Sequence, residues 1–302
     1  MGWRTVVVSK TSKLDYKMGY LCIRSNDEMI RIHISEMAVL LIESTAVSLT
    51  AYLLVELANQ NVNVIFCDSR MCPHGIYVSL YGSHDTSDKI RKQIRWTEDA
   101  KKTIWKYVVM HKIEGQMSVL ELFSHQEEKN KLNSYIPEIE LGDSTNREGH
   151  AAKVYFNALF GKDYTRTNKD EIVNAALNYG YSILLSSVTR EIVCNGYITQ
   201  IGIFHDNMFN GYNLACDLME PYRPFIDIKV LQMKIEKLEH EEKMELANVL
   251  NSRVVIDGRE QFLSNALSIY VKSILDAIDK NEPELIKFPE YDIEIYANNS
   301  IL

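Results

Sequence analysis

At 302 residues the chain is long enough for a large core, and at about 150 residues per domain two domains are expected. A 46% hydrophobic and 25% charged composition excludes a disordered or fibrous chain, and no apolar run reaches the roughly 18 residues of a membrane span. The net charge of −8 excludes a uniformly basic nucleic-acid coat.

The N-terminal "MGWRTVVVSK" lacks an apolar signal segment of sufficient length, so a cytoplasmic location is expected. Five scattered cysteines (Cys22, Cys67, Cys72, Cys194, Cys216) are then expected as reduced thiols. The first 82 residues read mainly as strands. "VVVS", "YLCIRS" and "VNVIFC" are apolar runs of strand length, while "MIRIHIS" alternates Ile30, Ile32 and Ile34 with Arg31 and His33. "GIYVSLYG" places Ile76, Val78 and Leu80 in the same two-residue period. One helix interrupts them, because "SLTAYLLVELANQN" carries Leu49, Leu53 and Leu57 on one face behind a capping Ser48. In "CDSRMCPH", Cys67, Cys72 and His74 lie close together without a second ligand pair, so a strand end and a turn are expected rather than a zinc site.

"GSHDTSD", residues 82 to 88, collects turn and capping residues, and beyond it the period changes from two to 3.6. The expected fold class is α+β: a small β-rich N-terminal domain, 1–85, precedes a larger all-α domain, 86–285, and a Pro-containing acidic tail, 286–302. Helices are expected at about 88–112, 115–125, 145–160, 169–194, 196–205, 212–219, 228–251 and 260–280. No internal repeat is visible. Charge is uneven. From Lys89 to Lys112 eight basic residues (Lys89, Arg91, Lys92, Arg95, Lys101, Lys102, Lys106, Lys112) face two acidic ones (Glu98, Asp99), which makes this stretch +6 and the remainder −14. Arg91, Arg95, Lys102 and Lys106 fall close to one face if the segment is a single helix, a row suited to tracking phosphates without reading bases. Trp96 and Trp105 in the same segment are expected in the core.

"EGHAAKVYFNALF", residues 148 to 160, poses a problem. Ala152, Tyr155 and Leu159 form an apolar helical stripe, and Glu148 lies on it. A buried, unpaired carboxylate costs several kcal/mol, so Glu148 needs a partner. Arg147, Arg190 and Arg223 are available for ion pairs. A cation shared with other groups is the alternative: His205 closes one apolar segment and Glu220 closes another just before Pro221. Two carboxylates and one imidazole suit Mg2+ or Mn2+.

Three longer stretches favour the shared cation. "REGHAAKVYFNALFG" resembles the "EG-x-A-A-x-x-Y-F" segment of the CRISPR-associated protein 1 family, the integrase subunit of CRISPR spacer acquisition. "NAALNYGYSILLSSVTREI" resembles that family's "N-A-L-L-N-Y-G-Y-A-I-L" helix, and "GIFHDNMFNGYNLACDLMEPYRPFID" resembles its "H-x-x-x-x-x-x-x-x-L-x-x-D-L-x-E-P-x-R-P-x-x-D" segment. The motifs keep the family's order across residues 145 to 228. The resemblance implies that Glu148, His205 and Glu220 are metal ligands and catalytic residues; many members carry Asp where this chain has Glu220. Asp217 precedes Glu220 by three residues on the same side of a helix, and so could join the oxygens near the ion or take Glu220's place. Asn178 and Tyr179 are expected to pack with a satisfied amide and phenol.

The family's reaction, as the resemblance implies, is attack of the 3′-hydroxyl of a short double-stranded DNA fragment on a phosphodiester of the CRISPR repeat, with related disintegration and endonuclease activities. No Ser, Cys or Tyr nucleophile is needed. The resemblance also implies a homodimer made by the first domain, with edge strands such as "MIRIHIS" suited to pairing, and a larger complex with CRISPR-associated protein 2. Two other functions compete with it: a non-catalytic DNA scaffold, and a structure-selective metal-dependent nuclease without an integrase role.

Overall fold

The structure, a computed structural model, describes residues 2, 4–25, 28–79, 82–168 and 171–292. Leu80 of the expected strand, the first two residues of the helix expected from 169, and most of the expected tail lie outside the described residues.

The N-terminal half runs β1 (Arg4–Val8), β2 (Lys13–Lys17), β3 (Tyr20–Arg24), β4 (Met29–His33), β5 (Met37–Ile42), β6 (Ser48–Leu49), α1 (Ala51–Asn59), β7 (Asn63–Cys67) and β8 (Pro73–Tyr77). Two four-stranded sheets result, ordered β1-β5-β7-β8 and β4-β3-β2-β6. β5 pairs parallel with both β1 and β7 and is buried along its whole length. A strand covered on both faces shows a continuous apolar run instead of alternation, which is why "MAVLLI" carries no two-residue period. Its side chains go to two cores. Leu40 and Ile42 pack with Leu53, Leu57 and Leu14, whereas Val39 and Leu41 pack with the helices that follow. β4 lies at a sheet edge, with Met29 and Ile30 exposed.

The second half contains α2 (Thr86–Ile94), α3 (Glu98–Leu122), α4 (Gln126–Tyr135), α5 (Arg147–Phe160), α6 (Ile172–Cys194), α7 (Asn213–Met219), α8 (Arg223–Met233), α9 (His240–Ala247), β9 (Arg253–Ile256), β10 (Arg259–Phe262), α10 (Leu263–Lys280) and β11 (Pro289–Glu290). The expected organisation, strands first and helices after, stands. A three-stranded sheet, β10-β9-β11, is added to the helical half, its hairpin turning at Asp257 and Gly258 with positive φ angles of 54° and 68°.

Several helices differ from expectation. The segment expected as one helix over 88–112 breaks at Arg95–Thr97, where the Thr97 hydroxyl accepts the N–H of Ala100 and starts α3, which then runs unbroken past 112–115 to Leu122. The helix expected over 228–251 is two, α8 and α9, separated where Lys234 adopts a left-handed conformation. Residues 196–205 form no helix. Their backbone is satisfied by side chains instead: Gln93 donates to the carbonyls of Ile198 and Ile201 and accepts the N–H of Ile198. At Gly180 a β-carbon would stand 2.4 Å from Ile226, so glycine is what lets α6 and α8 approach so closely.

Candidate metal centre

The centre lies where α3, the start of α5, the 196–212 segment and α7 converge. The Asp143 carboxylate positions the start of α5: Oδ1 accepts the N–H of Arg147 (2.8 Å) and Oδ2 that of Glu148 (3.0 Å). Two N–H groups without helical partners are thereby satisfied, and Glu148 is held in the first turn. Below it, Ala151 and Tyr155 are the buried residues of α5, and Ala152 is half-buried. Glu148 therefore does sit on the packed stripe.

Its partner is Lys112. The ammonium lies 2.5 Å from Glu148 Oε1 and 2.5 Å from Glu220 Oε2, and Arg223 Nη2 reaches Glu220 Oε1 at 2.9 Å. Glu220 and Lys112 are buried, at 3% and 9% exposure. Burial by itself pushes the Glu220 carboxyl up, but Arg223 and Lys112 together hold it below its ordinary value. Burial likewise works against the Lys112 cation, and Glu220 and Glu148 outweigh it.

The imidazole is held from behind. His205 Nδ1 lies 2.5 Å from Asp217 Oδ1, which also accepts the His205 N–H (3.0 Å), while Oδ2 accepts the N–H groups of Ile203 (2.6 Å) and Phe204 (3.0 Å). The segment wraps this carboxylate so tightly that a β-carbon at Gly202 would stand 2.7 Å from Asp217 Oδ2 and 2.3 Å from the His205 carbonyl. The hydrogen bond that the His205 ring donates to Asp217 raises the His205 pKa above its ordinary value, and Glu220 and Glu148 add to the rise. With Nδ1 engaged, the other ring nitrogen is the one available to a ligand. The structure thus brings Glu148, His205 and Glu220 together and places Asp217 behind His205, fully buried and saturated by four donors.

Among the described residues, no three His, Cys, Asp or Glu side chains converge on a point that would hold an ion as they stand. The two carboxylates close on the Lys112 ammonium instead. Two observations nevertheless fit a divalent cation. A cation already occupies the position between the carboxylates, 2.5 Å from Glu220 Oε2, and among the described residues no other partner is seen for that oxygen. Two carboxylate oxygens and an imidazole nitrogen are a donor set for Mg2+ or Mn2+.

The other candidates separate clearly. Arg91 and Arg95 belong to α2 and its end, Lys102 and Lys106 to α3, so the row is not one helical face. Of the eight basic residues in that stretch, Lys89, Lys92, Lys101 and Lys112 are in ion pairs, and among the described residues no ion pair is seen for the other four. Trp96 and Trp105 are buried, Trp105 stacking on Phe204 with ring centroids 4.4 Å apart. Asn178 Oδ1 accepts from Arg166 at 2.8 Å, but the Tyr179 hydroxyl, expected to be satisfied, is buried with no hydrogen-bond partner among the described residues. Arg147 pairs with Glu138 and Arg190 with Glu191, which leaves Arg223 as the arginine that meets a carboxylate of the centre. Asp68 organises the turn between β7 and β8 by accepting the N–H groups of Arg70 and Cys72, and the five cysteines are free thiols. Lys112 and Asp143 were not singled out from sequence. Lys112 had a signal: it interrupts the buried Val108, Val109, Ile113 and Gln116 of α3.

Comparison with known proteins agrees with this architecture. A family model described as CRISPR associated protein Cas1 matches residues 5–265. The CRISPR-associated endonuclease Cas1 of Neisseria meningitidis is 31% identical over 97% of this chain and 100% of its own length. One from Francisella tularensis subsp. novicida is 24% identical over 87% of this chain and 89% of its own. Among solved structures, a casposase bound to integration product superposes with a TM-score of 0.73 at 19% identity, covering 93% of this chain and 91% of that one. A Cas1 protein from Thermotoga maritima gives 0.71 at 14% identity, covering 91% and 97%. At these identities the structures speak for the fold, and the sequence matches speak for descent: from the first strand through the start of α10, this chain belongs to the Cas1 family of CRISPR-associated proteins.

Proposed function

We propose that this chain is a CRISPR spacer-acquisition integrase that joins the 3′-hydroxyl ends of a short DNA fragment into a repeat by divalent-metal-dependent transesterification. The observation that carries this reading is the Lys112 ammonium shared by Glu148 and Glu220, which come from separate elements, with His205 close enough to feel both carboxylates. The names of its relatives support the same chemistry, since the Neisseria relative is called an endonuclease and the casposase structure contains an integration product.

Glu148, His205 and Glu220 would hold Mg2+ or Mn2+. When bound, such an ion polarises a phosphate and favours the alkoxide form of an attacking hydroxyl. Asp217 keeps the His205 ring oriented with Nδ1 engaged, and Asp143 holds the Glu148 turn in place. Arg223 balances the charge of Glu220 and keeps its carboxylate ionised. Phe204 stacks on Trp105, and both rings meet the His205 imidazole edge-on, at centroid distances of 5.6 and 6.0 Å. Arg91, Arg95, Lys102 and Lys106, for which no ion pair is seen among the described residues, would meet DNA phosphates.

The partners follow from the same reading. One solved neighbour is a Cas6-RT-Cas1–Cas2 complex, and the partner proposed here is a Cas2 protein bridging two homodimers. The exposed edge of β4 is the proposed dimer seam. A strand-transfer assay tests the proposal, with a 3′-hydroxyl fragment and a repeat-bearing plasmid, with and without Cas2, in Mg2+, Mn2+ or chelator. Joining that vanishes with chelator and in Glu148→Ala is the expected result. Nicking without joining would identify a nuclease, and binding without cleavage a scaffold.

A further inference from the structure

Lys112 is more than the centre needs for neutrality of its buried carboxylate. Glu220 already has Arg223 at 2.9 Å, and Glu148, with 20% of its side chain exposed, reaches solvent. A second cation on the same pair, 9% exposed and 2.5 Å from both, brings two carboxylates and two basic groups to electrical balance. A balanced site has little attraction for a divalent ion. The ammonium also occupies the space between the two oxygens that an ion would share.

We propose that Lys112 is a resident counter-ion that competes with the divalent cation for Glu148 and Glu220, so that metal enters only by displacing its ammonium. The inference rests on the metal-dependent reading above and adds a positioning residue to it. Lysine suits the role because its charge is a compact point on a flexible four-carbon stem, which can withdraw without disturbing α3. The open side of the centre, where Glu148 and His205 reach solvent, offers the ammonium a place to go. A DNA phosphate on that side would receive it, coupling metal loading to substrate.

The test is direct binding of Mn2+ to the full-length protein, followed by the electron paramagnetic resonance signal of the free ion, without DNA. Wild type, Lys112→Met, Lys112→Arg and Glu220→Gln are compared, with folding checked by circular dichroism. Lys112→Met is expected to bind Mn2+ at least tenfold more tightly than wild type, and Lys112→Arg to stay near the wild-type value. Glu220→Gln should lose the site. Equal or weaker binding by Lys112→Met, with the Glu220-dependent site present in wild type, overturns the counter-ion role alone. No Glu220-dependent Mn2+ site in any of these proteins overturns the metal reading and this inference with it. Should Lys112→Met fail to fold, wild type supplies the second measurement. Modification of Lys112 by a small amine reagent, read by mass spectrometry, should rise when Mn2+ saturates the site. Unchanged modification overturns the proposal.

Discussion

Two buried carboxylates on neighbouring stretches of the chain, Glu220 and Asp227, meet opposite fates. Asp227 accepts hydrogen bonds from the hydroxyls of Tyr155 (2.8 Å) and Tyr181 (2.5 Å), each from a different helix. Both oxygens are used, and burial pushes its pKa up to about 6 against the pull of the two phenols. Glu220 is met by a cation at each oxygen instead, Arg223 at Oε1 and Lys112 at Oε2. Equal burial therefore means different things. A carboxylate saturated by neutral donors ties α5, α6 and α8 together, while one held by cations could, on the proposal above, exchange one of them for a metal ion.

The difference can be broken most severely at the proposed ligands. Glu220→Gln, nearly the same size, should reduce strand transfer to background in Mg2+ or Mn2+ while the melting temperature stays near wild type. A loss of both would make Glu220 a structural residue like Asp227. Next in size is Asp217→Asn, which loosens the seat of His205. Outer-shell partners of ligating histidines typically affect metal affinity by about 10–100-fold, and Mn2+ titration should find a weakening in that range.

Asp227→Asn sharpens the other side. An amide cannot accept from both phenols through its NH2 group, so a stability cost of about 1–3 kcal/mol is expected in urea unfolding. The pH dependence has a definite sign. The folded pKa of Asp227 lies above the ordinary 3.8, so between pH 3.8 and about 6 the native state binds the extra proton. Its contribution to stability is complete below that window and is lost as pH rises through it. In Asp227→Asn that segment of the stability curve should flatten, and an unchanged slope would assign the titration elsewhere. The smallest effect concerns the surface. Lys102→Glu with Lys106→Glu should weaken DNA binding about equally across sequences and lower the salt-dependence slope by about 2, at unchanged Mn2+ affinity.

How much of this was readable in the sequence depends on which force shaped each element. The alternation in "MIRIHIS" marks a strand, β4, but of the segment's three isoleucines only Ile32 and Ile34 pack into the N-terminal core while Ile30 is exposed at the sheet edge. β5 escaped because its two faces are both covered. The run from Ile198 to Phe204 looked helical because it is apolar, yet it folds around the Asp217 carboxylate, a tertiary demand no local period encodes. α4 was missed for the opposite reason, having one buried residue, Leu132, in a polar helix. The hairpin at Asp257 and Gly258 had a local turn signal that was overlooked between valine-rich and aromatic flanks. At the centre, the apolar surroundings of Glu148, His205 and Glu220 raised them as candidates among many possible trios, and motif resemblance selected them as a set. Lys112 disappeared into a count of basic residues because its burial is decided by α3 packing.

The divided allegiance of β5 has a mechanical meaning. Leu40 and Leu41 are adjacent in sequence, yet one belongs to the core of the N-terminal sheets and the other to the core beneath the candidate centre. No hinge can operate along such a strand without opening both cores at once. A calorimeter should therefore record one endotherm for the whole chain. Any pairing of two copies through their N-terminal sheets would hold the two centres at a separation fixed by the backbone itself, as rigidly as two marks on the same bar.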